Sequence, residues 1–175
     1  DKILKEMNRR STEQQIRELV STIRSDYPEI AIRSTFIIGF PGESRKQFKN
    51  LINFLETAKL ENVGFFPFYK EEKTKAYFMK KQIPNFIKKL RLKKAQKVQE
   101  RIMNENNVNL VGTETKVIID YFDNTTGYYI GRTNQNSPDV DFIITFDETP
   151  NIRVGEIFNA KIVSYNNGIF KGEMI

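Results

Sequence analysis

The sequence of 175 residues contains no cysteine and no histidine. Disulfides, thiolate or imidazole ligands for a metal, cysteine nucleophiles and histidine general bases are therefore excluded within these residues. Long apolar runs are also missing, since no segment approaches the roughly 20 apolar residues that cross a bilayer as a helix. Any catalysis that these residues support must take its reactive centre from elsewhere.

The composition that remains, with 39% hydrophobic and 29% charged residues, is typical of a folded chain. The net charge of +6 is distributed unevenly: residues 1–69 carry +2, residues 70–101 carry +9 and residues 102–175 carry −5. The total suggests a nucleic-acid partner, but the last third has the wrong sign for a phosphate backbone. We interpret the basic middle segment as a solvated helix face, with a nucleic-acid contact as the alternative.

Two capping boxes predict helices in the first part of the chain. Ser11 with Gln14 precedes apolar residues at helical spacing, which predicts a helix over about 12–25. Ser44 with Gln47 predicts the start of a second helix by the same pattern.

Strand signals alternate with these helices. The β-branched segment 30–38 predicts a buried strand, the loop GFPGE (39–43) follows it, and segment 62–68 predicts a second buried strand. Strand, loop, helix and strand in this order predict a parallel βαβ unit. Two strands cannot close a core, so residues 1–69 are expected to be a slice of an α/β sheet or barrel.

The middle of the chain predicts one long helix. Residues 70–83 show no clear period and predict a loop, whereas Pro84 suits the first position of a basic helix that extends to about 107. A thin apolar seam is expected along it, formed by Ile87, Leu90, Val98 and Ile102.

The last third predicts an all-β domain. Turn residues separate five short segments rich in β-branched and aromatic residues, and Asn167-Gly168 favours a tight hairpin. Five strands in so short a stretch predict a small closed or partly open barrel of the OB type. The predicted strands are 115–122, 127–133, 141–146, 157–165 and 169–175.

Several segments in a fixed order carry a family resemblance. They are LKEMNRRST (4–12), RSTFIIGFPGES (33–44), VGFFPF (63–68), LVG (110–112) and IGRTNQNSPDVD (130–141). Together they resemble the C-terminal part of the radical S-adenosylmethionine methylthiotransferases. The resemblance implies the last part of a partial (β/α) barrel at residues 1–83, a connecting helix at 84–109 and a TRAM domain at 110–175.

Within that family the sequence is more similar to the RimO branch, which methylthiolates the β-carbon of an aspartate in a small-subunit ribosomal protein. Arg33 before Ser34-Thr35 and the segment Ser137–Asp141 carry this resemblance, and an acidic tail suits a basic ribosomal protein better than tRNA. The tRNA-modifying branch is the alternative. A binding module that docks on ribosomal protein or RNA without catalysis is a second alternative.

The resemblance implies a cytoplasmic enzyme that uses S-adenosylmethionine and two iron–sulfur clusters of the 4Fe–4S type. The cluster cysteines would lie upstream of Asp1, so these residues are expected to be a piece of a longer protein that holds only part of the cofactor site. No residue is a convincing acid, base or metal ligand, and most of the carboxylates are expected to lie at solvent-facing positions or in turns.

The resemblance and the predicted strand ends nominate two sets of site residues. An arginine within an apolar strand, such as Arg33, is expected to be buried and paired with a carboxylate of the barrel or of a ligand. The candidates for S-adenosylmethionine are Arg9, Arg33, Thr35, Ile37, Gly39 and Phe40. The candidates for contact with the ribosomal protein are Arg132, Asn134, Asp139 and Asp141.

These residues alone are predicted to bind no iron–sulfur cluster and to be inactive, because they provide no thiolate ligand. Anaerobic reconstitution with iron and sulfide should leave the purified 175-residue chain without a cluster chromophore. A near-stoichiometric absorption band after desalting would contradict the prediction.

Overall fold

The structure is a computed structural model that describes residues 1–138, 140–149 and 151–175. The chain divides into two compact units, Asp1–Met103 and Asn104–Ile175. The first is an α/β unit and the second is a closed five-stranded barrel, so the predicted fold class is confirmed. Among the described residues, no helix is both long enough and apolar enough to span a membrane.

The first unit contains a parallel βαβ motif. Strand β1 (Arg33–Ile38) pairs with β2 (Asn62–Pro67) in parallel, as the sequence predicts. The register places Thr35 opposite Gly64 and Ile37 opposite Phe66. A short 3₁₀ helix, Lys75–Phe78, lies in the segment predicted as loop. The elements are α1 (Lys2–Glu6), α2 (Glu13–Asp26), β1 (Arg33–Ile38), α3 (Arg45–Ala58), β2 (Asn62–Pro67) and α4 (Asn85–Val108), the last of which continues into the second unit.

Both predicted helices begin with a capping box, but one box is shifted. The pair Ser44 and Gln47 caps α3 as predicted. Helix α2 is capped by Thr12, whose hydroxyl accepts a hydrogen bond from the Gln15 backbone N–H at 3.2 Å, so the prediction of Ser11 with Gln14 was wrong by one residue. The shifted start places Glu13 in the first turn, where the helix dipole favours a negative charge.

The core of the first unit lies on one face of the two-stranded sheet. Side chains from β1, α3 and α4 form one buried cluster, and α2 adds partly buried residues to it. Its buried members are Ile38, Phe48, Ile52, Phe54, Leu55, Leu60, Ala95 and Ile102. Exposure alternates along β1 and β2, so these strands, which were predicted to be buried, are buried on one face only, the face that the helices cover.

The buried face of helix α4 differs from the one that its hydrophobic pattern predicts. Of the predicted seam, Ile102 is buried, but Leu90 is 64% exposed, so its placement in the seam was wrong. Lys88, Ala95 and Gln99, which were not predicted, are also buried. Polar residues on the buried face and an apolar residue on the exposed face hide the period from a pattern based on hydrophobicity.

The second unit is a closed barrel with the strand order β3-β4-β5-β7-β6. All neighbouring strands are antiparallel except β5 and β7, which are parallel. The predicted β6–β7 hairpin is confirmed, since Asn167 and Gly168 both have positive φ (48° and 84°), as a type I′ turn requires. The strands are β3 (Glu114–Asp123), β4 (Tyr128–Thr133), β5 (Ile143–Asp147), β6 (Ile157–Asn166) and β7 (Ile169–Met174).

The barrel closes around a dense core that requires glycine at two points. A Cβ on Gly131 would lie 2.6 Å from the Ile118 carbonyl oxygen, and one on Gly172 would lie 2.6 Å from the Phe146 ring. Both distances are shorter than real Cβ contacts. The neighbour of Gly131 is backbone, which cannot move away without disturbing the strand pairing.

The substitution Gly131→Ala is predicted to destabilise the barrel by about 1–3 kcal/mol, because the added methyl group overpacks β3 against β4. Ser164→Ala, on an exposed position of β6, is the control and should change stability by less than about 0.5 kcal/mol. Chemical denaturation of both variants measures the difference, and equal stabilities would contradict the close approach.

Candidate functional site

One face of the β1–β2 sheet is left uncovered by the helices. We call this surface the open sheet face: Arg33, Thr35 and Ile37 of β1 with Gly64 and Phe66 of β2. Phe66 is 62% exposed and Ile37 is 37% exposed. Two apolar side chains at the carboxyl ends of parallel strands, with a hydroxyl and a guanidinium nearer the amino ends, can contact a ligand that is part apolar and part charged.

The position of Arg33 differs from the expectation. The residue is exposed rather than buried, although it shares its strand face with Thr35 and Ile37 as predicted. The reason is that the core cluster lies on the other face of the sheet. Because the guanidinium is exposed, it does not need a buried carboxylate of the barrel as a partner.

The GFPGE loop follows β1 and is buried rather than open. The Phe40 side chain is 5% exposed, and its ring meets the Phe68 ring edge-on at 5.3 Å. Gly39 has φ +76°, and a Cβ there would lie 2.5 Å from Lys88 Cγ. Glycine is therefore required at 39 both by backbone conformation and by the approach of α4.

Glu43, the last residue of the loop, is buried in a polar environment. Its Oε2 accepts a hydrogen bond from the Gly39 N–H at 3.1 Å, and its Oε1 accepts one from Arg91 Nη1 at 2.5 Å. Arg91 also donates to the Glu43 carbonyl oxygen at 3.0 Å. Burial raises the pKa of the carboxyl, while the Gly39 N–H and the Arg91 guanidinium act in the opposite direction.

A second contact ties the end of β2 to the same helix. The buried Lys88 donates from Nζ to the Phe68 carbonyl oxygen at 2.7 Å, and its ammonium lies 5.4 Å from the centroid of the Phe68 ring. We call Glu43, Lys88 and Arg91 the α4 clamp, because together they hold the ends of β1 and β2 to α4. The clamp fixes the loop beside the open sheet face.

Sequence reasoning missed the α4 clamp. It expected carboxylates at solvent-facing positions, which is wrong for Glu43, and it treated the basic residues of α4 as a solvated face, which is wrong for Lys88 and half-buried Arg91. The available signal was the spacing of Lys88 and Arg91, which places both on one helix face. Of the remaining cofactor candidates, Arg9 lies in the exposed connection between α1 and α2.

Three of the four candidate contact residues of the barrel, Arg132, Asn134 and Asp141, lie on β4 and in the segment after it. Arg132 Nε pairs with Asp120 Oδ1 at 3.0 Å, and both side chains are 30% exposed. Asp141 Oδ2 accepts a hydrogen bond from the Ser137 N–H at 2.6 Å, which closes the turn, and Asn134 is exposed. Asp139 lies outside the described residues.

Buried Asn136 organises this turn, which starts at the end of β4. Its Oδ1 accepts hydrogen bonds from the Thr133 hydroxyl at 2.6 Å and from the Thr133 N–H at 3.2 Å. Within the described ranges, no group of three or more His, Cys, Asp or Glu residues can hold a metal ion.

A βαβ unit with one face uncovered by helices, a long helix and a closed five-stranded barrel define a class: an α/β unit followed by a small β-barrel domain. Residues 111–175 match the family model described as the TRAM domain. The second unit is a TRAM domain.

The whole chain is similar to proteins named ribosomal protein uS12 methylthiotransferase RimO. It is 39% identical to the protein from Geobacter sulfurreducens over 100% of this chain and 39% of that relative. It is 37% identical to the protein from Carboxydothermus hydrogenoformans over 99% of this chain and 40% of the relative, and 40% identical to that of Alkaliphilus oremlandii over 82% and 33%.

The resemblance to the C-terminal part of the RimO methylthiotransferases, with a TRAM domain, is confirmed by these relatives. The chain spans about 39% of the length of the first of the curated relatives that it matches.

Removing the Arg91 guanidinium is predicted to destabilise the first unit by about 3–5 kcal/mol at pH 8, because it leaves the Glu43 carboxylate buried and unpaired. Arg91→Met should be less destabilising at pH 5.5. The pKa of Glu43 is already raised by burial, and loss of Arg91 raises it further, so the folded variant takes up a proton as the pH falls while the unfolded chain does not.

Urea denaturation of Arg91→Met at the two pH values measures this effect. Arg101→Met is the matched control, because it breaks an ion pair with Glu56 whose side chains are 53% and 45% exposed. The control should lose under about 1 kcal/mol at both pH values. If both variants lost the same small free energy of unfolding, the buried pair would be no more important for stability than the exposed one.

Proposed function

We propose that this chain is part of an enzyme that methylthiolates the β-carbon of an aspartate in ribosomal protein uS12, in the cytoplasm, by radical S-adenosylmethionine chemistry. In this proposal residues 1–83 supply one wall of the cofactor site, and the TRAM domain binds the target. Residues 84–109 form the helix that connects the two parts. The observation that carries it is the similarity to RimO over the full chain, at 39% identity to the first relative.

The open sheet face fits one wall of a site for S-adenosylmethionine. The exposed Ile37 and Phe66 side chains present apolar surface, which suits an adenine ring, while Thr35 and Arg33 on the same strand present polar groups. Gly64 adds no side chain to this face, and a Cβ there would make an ordinary contact of 3.6 Å with Thr35 Oγ1. The α4 clamp would hold the strand ends, with Gly39 and Phe40 as support rather than contact.

The residues of this chain do not fit an iron–sulfur cluster, because such clusters are held by cysteine thiolates and the chain has no cysteine. When bound in the complete enzyme, the cofactors would supply the radical and the sulfur. The role left to the present residues is to bind and orient S-adenosylmethionine and to exclude water from the apolar wall.

The charge of the TRAM domain supports a basic protein as the target. Residues 102–175 carry −5, and Asp123 stays ionised because the Thr125 and Thr126 hydrogen bonds lower its pKa to about 2. Opposite charge speeds encounter with a basic ribosomal protein. The relatives named above act on uS12 by name, so the tRNA-modifying branch and a purely non-catalytic module are less well supported.

The test is made in the complete native protein that contains these residues. Expressed in cells whose own enzyme has been deleted, it should add one methylthio group to uS12, detected as the corresponding gain in intact mass and located on an aspartate by peptide fragmentation. An unchanged uS12 mass together with a modified tRNA adenosine would contradict the proposal.

Ile37→Ala in that protein should weaken binding of S-adenosylmethionine by about tenfold or more, because it removes apolar contact worth roughly 0.8 kcal/mol per buried methylene. Leu19→Ala is the control: Leu19 is also an exposed apolar residue, at 60%, but it lies on α2. Equilibrium dialysis measures the affinity. Unchanged binding by the Ile37 variant would exclude the open sheet face as a wall of the site.

A further inference from the structure

Helix α4 carries an exposed row of lysines. Lys89, Lys93 and Lys97 recur every four residues on one side of the helix, and Lys94 lies beside them. The rise of an α-helix places neighbours in the row about 6 Å apart. We call these four residues the basic stripe; all four are exposed.

The basic stripe is not balanced by acidic neighbours. At three- and four-residue spacing within α4, Lys97 alone faces a carboxylate, that of Glu100, while Lys89 and Lys93 face other lysines. None of the ion pairs in the part of the chain that the structure describes includes a stripe residue. Like charges at this spacing destabilise a helix, so an external polyanion would relieve the repulsion.

Apolar groups accompany the lysines on the same side of α4. Phe86 and Leu90 are each 64% exposed and lie at helical spacing from Lys89, Lys93 and Lys97. A shallow groove follows this side and is lined by Leu90, Lys93, Lys94, Lys97, Val98 and Arg101. Phe86 does not line this groove but lies on the same side of the helix, one turn before Lys89 and Leu90. Proteins bind the backbone of single-stranded nucleic acid with basic grooves and stack its bases on exposed aromatic rings.

We propose that the basic stripe of α4 binds the phosphate backbone of RNA, with Phe86 stacking on an unpaired base. The phosphate chemistry follows from the stripe itself, whereas the choice of RNA over DNA rests on the proposed ribosomal target. The target would then be recognised within a ribonucleoprotein, its RNA by α4 and its basic protein by the acidic TRAM domain.

Other polyanions suit this surface less well. An interfacial membrane helix separates its lysines from the apolar face that enters the lipid. In α4 the lysines surround Phe86 and Leu90, and the opposite side is fixed in the core through Ala95 and Ile102. The Asp and Glu side chains of an acidic peptide have no planar ring on which Phe86 could stack, whereas every nucleotide of an RNA loop carries one.

The test measures binding of a labelled RNA hairpin with an unpaired loop to the full 175-residue chain by fluorescence anisotropy over a range of salt concentrations. The variant K89Q/K93Q/K97Q should bind at least tenfold more weakly. The slope of its log affinity against log salt concentration should fall by the amount that corresponds to about two to three phosphate contacts. Glutamine is a good helix former, so circular dichroism should be unchanged.

The control K75Q/K80Q/K81Q removes the same charge from exposed lysines outside α4 and should lose little affinity. Phe86→Ala should weaken binding to the hairpin but not to a fully paired RNA. Equal losses in the two triple variants, or no binding of the hairpin, would overturn the proposal. So would tighter binding to duplex DNA of matched length, polyglutamate or phosphatidylserine vesicles. None of these assays requires catalysis, so failure here leaves the methylthiolation proposal to its own test.

Discussion

The buried ion pair between Glu43 and Arg91 is the interaction on which the first unit depends. It joins the loop after β1 to a helix that begins more than forty residues later, and it works together with the Lys88 contact at the end of β2. Such a pair is weak as a source of net stability but costly to break, because one charge would remain buried alone. Its main effect is to fix where the two strands end.

That fixed position explains why a two-stranded sheet can present a defined surface. Three helices cover one face, and the other face stays open with Ile37 and Phe66 exposed. A free sheet face with apolar side chains is unfavourable in water unless another element or a ligand covers it. The exposure of these two side chains is the structural basis of the ligand wall proposed above.

The sequence predicts local features well and contacts distant in sequence poorly. Capping boxes, the βαβ order and the turn at Asn167-Gly168 depend on neighbouring residues, and the structure confirms them apart from a shift of one residue at Thr12. The buried side of α4 was not predictable from its pattern, because Lys88 and Gln99 can be buried only where the Phe68 and Leu60 carbonyl oxygens accept their hydrogen bonds. Those acceptors are supplied by the fold, not by the helix.

The strand order of the barrel has a consequence for how that domain folds. Strand β7 lies between β5 and β6, and its pairing with β5 is parallel. Until β7 is in place, β5 and β6 are both edge strands with unpaired backbone groups. The barrel can therefore close only when β7 has paired. Before that, an incompletely folded barrel would expose two strand edges that can pair with other chains and aggregate.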